Sequence, residues 1–233
     1  MDENTMARTL RKARSVVVIR DYFSRPSKSG LLADGLDSRP RKSFALYSGI
    51  PSMLALTEGN PRMLINLLSP LIVEYRLSEG KRKVSESKQA IEIQKSIRVM
   101  RSLLKTVPTK KKTDSGQGLL RFLDAVGSGL YHGIVATKFN DQPPLSFRVD
   151  RGVHPEYLSA IGKALNIGAL IYVPDHASED ILSNVVEKRF RLNYLLSAHY
   201  KLPLSLDREI SLSALLERSQ SRLQAQMDLS NES

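Results

Sequence analysis

Between residues 88 and 107, Ala90, Ile93, Ile97, Met100 and Leu104 recur at spacings of three and four, while Lys95, Arg98, Arg101 and Lys105 lie off that stripe. An α-helix with one buried face turns such spacing into a continuous apolar seam. A second helix can be placed before it from local chemistry. Asn60 is a favoured N-cap, and Pro61 suits the first helical position because its missing N–H has no partner there in any case. The pattern predicts a helix from Pro61 to about Leu77, with Leu64, Leu67, Leu68, Leu71 and Ile72 on its buried face. Phe44 to Leu56 reads as a further helix broken by Thr57-Glu58-Gly59, and "SEGKRKVSES" (78–87) as a charged turn.

Elsewhere the first half is less regular. Val16 to Ile19 fits a buried strand or a helix, because four residues are too few for periodicity to decide. Residues 24–43, rich in Ser, Gly, Pro and Arg, read as a loop or connector, and "PTKKKTDSGQG" (108–118) as an exposed basic linker.

The second half changes rhythm. "LLRFLDAVGSGLYHGIV" (119–135) starts as a helix and is expected to fray into its glycines, and "LSFRVD" (145–150) reads as a short strand. "HPEYLSAIGKALNIG" (154–168) is a helix ending at Gly168, with Tyr157, Leu158, Ile161, Ala164 and Leu165 as its inner stripe. "ALIYV" (169–173) and "RFRLNYLL" (189–196) are rich in strand formers, and 211–227 reads as a surface helix capped by Ser211. Helix, helix with a glycine stop, strand, loop, strand is the plan of a winged helix-turn-helix, with 169–173 and 189–195 as the wing. The expected fold is mainly α with a small β-wing. Its parts are a basic N-terminal segment (1–43), a helical domain (44–107), the linker (108–118), a winged-helix domain (119–210) and a C-terminal helix and tail (211–233).

With no cysteine there is no disulfide framework and no thiolate metal site, which suits a reducing cytosol. No apolar run approaches the roughly 18 residues needed to cross a bilayer, and the N-terminus "MDENTMARTLRKARS" lacks a signal peptide's apolar region. A cytoplasmic protein without a membrane role is expected. Residues 1–112 hold 23 Lys and Arg against 10 Asp and Glu, and residues 113–233 hold 12 against 14. A basic half can meet nucleic acid, since neutralising phosphates releases counterions; it can equally be a solvated surface.

The basic runs are Arg8, Arg11, Lys12 and Arg14; Arg39, Arg41 and Lys42; Lys81, Arg82 and Lys83; and Lys110, Lys111 and Lys112. In the second half the nucleic-acid candidates are Lys163, Lys188, Arg189 and Arg191, set beside the acids Asp175, Glu179, Asp180 and Glu187. No catalytic constellation emerges. His132, His154, His176 and His199 have no metal-ligand spacing, and Ser128 lacks the GxSxG setting of a nucleophile. No metal ligands are expected.

"RPRKSFALYSGIPSMLALTEGNPRMLINLL" and "KALNIGALIYVPD…EKRFRLNYLLSAHYKLPLSLDREISLSALL" together resemble the C-terminal part of bacterial AAA+ ATPases of the origin-recognition (ORC/Cdc6-like) type, some of which sit among phage-defence genes. The resemblance runs from about Arg14 to Leu216. It implies a helical lid followed by a winged helix. It further implies that Arg62, in the Gly-Asn-Pro-Arg turn, is the sensor 2 arginine that touches a nucleotide's γ-phosphate, with Asn60 and Pro61 building the turn. The helix mouth and the guanidinium would both face the triphosphate. The chain departs from the family in lacking GxxxxGK[ST], and no run of four apolar residues leads into Asp-Glu. On its own it is expected neither to hydrolyse ATP nor to need a cofactor; ATP and magnesium enter when it is joined to an AAA+ core. A fragment, a truncated gene and one half of a split system all fit.

The resemblance implies double-stranded DNA, an ATPase core or an effector protein as partner, and allows an oligomer. Two other readings stand beside it: a free-standing winged-helix transcription regulator, and a protein-only adaptor.

Overall fold

A computed structural model describes residues 3–23, 44–109, 118–135, 142–175 and 184–217. The connector 24–43, with Arg39, Arg41 and Lys42, lies outside them, as do Lys110, Lys111 and Lys112 and the tail after Glu217. The architecture is mostly helical with one small four-stranded sheet, which is the expected fold class. The residues divide between two units: Met1–Ser102 with Asn193–Leu204, and Leu103–Leu192 with Ser205–Ser233. The expected winged-helix range 119–210 is therefore interrupted, because 193–204 groups with the first unit.

In the first unit, α1 (Glu3–Phe23) resolves the ambiguity of Val16–Ile19 as helix. Ala13, Val16 and Ile19 are buried at a spacing of three while Val17 and Val18 are exposed, which a strand's alternation cannot produce. Phe44–Leu56 is not one helix. A 3-10 helix (Phe44–Tyr47) gives way at Gly49, whose N–H donates to Gln89 Oε1 at 2.7 Å, and α2 (Ile50–Leu56) follows.

The third helix, α3 (Pro61–Leu77), has the predicted ends, but its buried line is narrower than predicted. Leu67 and Leu71 are buried, Leu64 and Leu68 half-buried, and Ile72 is exposed, lying about 100° round the helix from Leu71. In α4 (Glu86–Thr106) all five stripe residues are buried.

The unit is completed by 193–204. Asn193 is buried and its side chain accepts the N–H of Leu196 at 2.8 Å, capping α7 (Tyr194–His199). "RFRLNYLL" is therefore not one strand, and the wing stops at Leu192 rather than 195. Tyr47 donates its hydroxyl to Leu202 O at 3.0 Å in the interior, and the Lys201 ammonium stands 5.1 Å from the Phe23 ring centroid.

In the second unit, α5 (Leu119–Val135) runs unbroken through the glycines that were expected to fray it. Gly129 explains why: a Cβ there would meet Leu215 Cδ1 at 2.7 Å and Leu215 O at 3.0 Å, so the missing side chain makes room for a neighbour. Gly118, before α5, has φ +53, and a Cβ would meet the carbonyl oxygens of Val107 and Lys105 at 2.5 and 2.6 Å. Gly118→Ala is expected to destabilise the protein by about 1–3 kcal/mol, measured by denaturant unfolding, because neither backbone oxygen can swing aside.

The sheet has the order β2-β3-β1-β4. β1 (Ser146–Arg148) pairs antiparallel with β3 (Arg189–Leu192), which pairs antiparallel with β2 (Leu170–Val173). The fourth strand, β4 (Glu209–Ser211), runs parallel to β1 and was not foreseen. α6 (Pro155–Asn166), capped by His154, buries Ala160, Ile161 and Ala164, while Tyr157, Leu158 and Leu165 of its predicted stripe are half-buried. Ser211 Oγ accepts the N–H of Ala214 at 3.2 Å and so caps the helix that starts at 212, as expected. Leu212 and Leu215 are buried, so this helix's start is part of the core rather than a surface element.

Candidate functional site

The turn joining α2 to α3 is built from backbone outward. Thr57 is buried and donates its hydroxyl to Leu54 O at 2.8 Å. Glu58 and Gly59 both take left-handed backbone angles (φ 51 and 69), and Asn60 N donates back to Thr57 O at 2.8 Å. Asn60 Oδ1 then accepts from the N–H groups of Arg62 at 3.0 Å and Met63 at 3.2 Å, while Leu64 N donates to Asn60 O. Pro61 has no N–H. Every donor of the first turn is thus satisfied within the turn.

With those donors satisfied, the first turn of α3 offers an anion no free backbone N–H. The expectation that the helix mouth and the guanidinium would share a triphosphate needs free N–H groups, and Asn60 occupies them. What remains is Arg62 itself, exposed in the second helical position where the macrodipole disfavours a cation. Among the described residues nothing hydrogen-bonds or pairs with its guanidinium. Glu58, the nearest carboxylate in sequence, instead accepts the N–H of Tyr194 at 2.7 Å. An exposed, uncompensated guanidinium can form the two parallel hydrogen bonds that a phosphate or carboxylate accepts.

The candidates for nucleic-acid contact separate into two groups. The described ones of the second unit, Lys163, Lys188, Arg189 and Arg191, are engaged. Lys163 donates to Pro108 O at 2.6 Å, and Arg191 donates to Leu192 O at 3.1 Å. Arg189 donates to Ser146 Oγ at 2.9 Å and to Asp207 O, and lies 3.4 Å from Glu209 Oε2. Lys188 is half-buried beside them and also has a partner.

Arg148, which the sequence reading passed over, is the centre of this network. Its Nε lies 2.7 Å from Glu209 Oε1, Nη2 2.8 Å from Asp175 Oδ2, and Nη1 2.6 Å from Glu187 O. Hydrogen bonding to Glu209 raises its already high pKa, with Asp175 adding to the effect against partial burial. Arg151 similarly holds the Glu187 carboxyl below its usual range by a hydrogen bond. The only signal that could have found Arg148 was the Arg-x-Asp-Arg spacing after Phe147, facing acids far along the chain.

The α3–α4 turn differs. Lys81 pairs with Glu79, but Arg76, Arg82 and Lys83 are exposed and, among the described residues, have no carboxylate partner. No group of three or more His, Asp or Glu among the described residues is placed to hold a metal ion, and none of their helices is long and apolar enough to cross a membrane.

Comparison with known proteins gives one result. No curated protein and no solved structure matches the chain. A family model described as ORC-CDC6-like matches residues 1–212, most of the length, and takes in both the Asn60-Arg62 turn and the four-stranded sheet. The chain belongs to the ORC-CDC6-like family.

Proposed function

We propose that this AAA+ ATPase-related chain acts as a nucleotide-responsive lid and docking module, with Arg62 contacting the γ-phosphate of ATP held by a phosphate-binding core. The observation that supports it is the exposed Arg62 guanidinium, unpaired among the described residues, on a turn whose own donors are already satisfied. Magnesium and the remaining phosphates fall to that core, since the chain has no glycine-rich phosphate loop of its own. Alone, the chain does not hydrolyse ATP in this reading. The test joins the full chain to an AAA+ core, from the same reading frame or from a neighbouring gene, and follows ATP hydrolysis. Arg62→Ala is expected to slow turnover roughly 10²-fold, as loss of one charged transition-state contact does. Arg62→Lys rescues it poorly, because a point charge lacks the fork. Turnover unchanged in Arg62→Ala would overturn the proposal.

A second contact, with duplex DNA, is proposed for the α3–α4 turn rather than the wing. Arg189 of the wing is held by Ser146, Asp207 O and Glu209, and Arg191 donates to Leu192 O, whereas Arg76, Arg82 and Lys83 are open to solvent. Arg82→Ala and Lys83→Ala are each expected to weaken binding uniformly across sequences and to reduce the salt slope by about 1. Sequence-selective binding that survives both changes would favour a free-standing regulator instead. Salt-independent capture of a protein with no DNA binding would favour an adaptor.

A further inference from the structure

We propose that Glu58 is a positioning residue for Arg62, tying the turn before α3 to the start of α7 so that an anion held at Arg62 and the order of α7 influence each other. This rests on the reading of Arg62 as a phosphate contact. The tie has long reach: Glu58 Oε1 accepts the Tyr194 N–H at 2.7 Å, across 136 residues of sequence. It adds to the capping of α7, because Asn193 satisfies Leu196 N and Glu58 satisfies Tyr194 N.

The backbone at Glu58 points the same way. Its N–H donates to Ala55 O at 3.1 Å with φ 51, the position after a helix that glycine normally fills. A β-carbon there is disfavoured, and a strained residue persists where its surroundings hold it. Among the described residues three other non-glycine residues share this conformation, and their partners differ in kind. Glu79 pairs with Lys81, Glu187 with Arg151, and Lys201 stands over the Phe23 ring. Glu58 holds the backbone of another element, the Tyr194 N–H at the start of α7.

Glu58 and Gly59 set the direction in which Asn60 and Pro61 launch α3, and so the aim of Arg62 two residues into it. A pull on Arg62 from a phosphate therefore reaches the Glu58–Tyr194 bond within four residues. By reciprocity, whatever loosens α7 must weaken the phosphate contact by the same factor. The α7 helix begins directly after Leu192, the last residue of β3, so it is the first element to follow the wing strand.

The experiment titrates the full chain with magnesium-free tripolyphosphate and follows the Arg62 Nε–H and Tyr194 amide signals by NMR. In the wild type both are expected to move together, and Arg62→Ala abolishes both responses. Glu58→Gly removes the carboxylate while supplying the residue that the backbone prefers, so the fold is kept. It is expected to silence the Tyr194 response and weaken binding about 5-fold or more. Glu58→Gln, which retains length and an acceptor, restores the Tyr194 response. A purely local role for Glu58 predicts no difference at Tyr194. An unchanged Tyr194 response in Glu58→Gly, with dependence on Arg62 intact, overturns this inference alone. Absence of any Arg62-dependent binding in the wild type overturns the phosphate reading and this inference with it.

Discussion

Replacing Phe190 with alanine is expected to cost about 3–5 kcal/mol of stability, the largest single-residue loss in the second unit. Phe190 is fully buried at the centre of β3, opposite Phe147 in β1 and Tyr172 in β2. Its ring centroid lies 6.1 Å from that of Phe147 and 5.8 Å from that of Tyr172, so three strands share one aromatic layer. Truncation leaves a cavity that a short twisted sheet cannot close without moving its strands. The strand beyond is affected too, because Phe147 is the register partner of Ile210 in β4. Denaturant unfolding, followed by a probe in the sheet, measures the loss. Phe190→Leu, which keeps most of the volume, should cost less than half as much. A change below about 1 kcal/mol for the alanine variant would show that the layer does not carry the sheet.

A fragment ending at residue 107 is expected to lose its cooperative fold altogether. The basic stretch after it looks like a boundary, yet the first unit includes 193–204. Within that segment Leu195, Leu196, Ala198, Tyr200 and Leu202 are buried. Burying a leucine contributes roughly 1.5–3 kcal/mol, so losing three of them approaches the whole stability of a typical domain, about 5–15 kcal/mol. Polar partners go as well: Tyr47 loses Leu202 O, Glu58 loses Tyr194 N, and Arg101 loses the Tyr200 hydroxyl 3.4 Å away. A buried phenol left without its acceptor adds a penalty of its own. Circular dichroism and amide dispersion of the fragment, set against the full chain, test this. A sharp unfolding transition at the full chain's midpoint would refute it.

Which parts were readable from the letters follows from how local their causes are. The start of α3 needs only Asn60 and Pro61, and the seam of α4 only its own spacing, so both were legible. Where a cause lies elsewhere in the chain, reading failed. The continuity of α5 through Gly129 depends on Leu215. Glu209-Ile210-Ser211 is a strand because Ser146-Phe147-Arg148 lies beside it. "RFRLNYLL" carries strand-formers throughout, and only the burial of Asn193, with its side chain turned to Leu196 N, converts its second half into helix. At the candidate site the same division holds. The place of Arg62 in the first turn of α3 was legible from Asn60 and Pro61, but the engagement of Glu58 by Tyr194 is invisible without the fold.

The discontinuity of the first unit has a consequence during synthesis. Its last strip of chain is made only after residues 103–192, so nothing can seal that unit while the ribosome works through them. At about 5–20 residues per second this leaves α1 to α4 waiting roughly 5–20 s with apolar side chains uncovered. The first unit can therefore close only when α7 emerges, and that helix acts as its clasp.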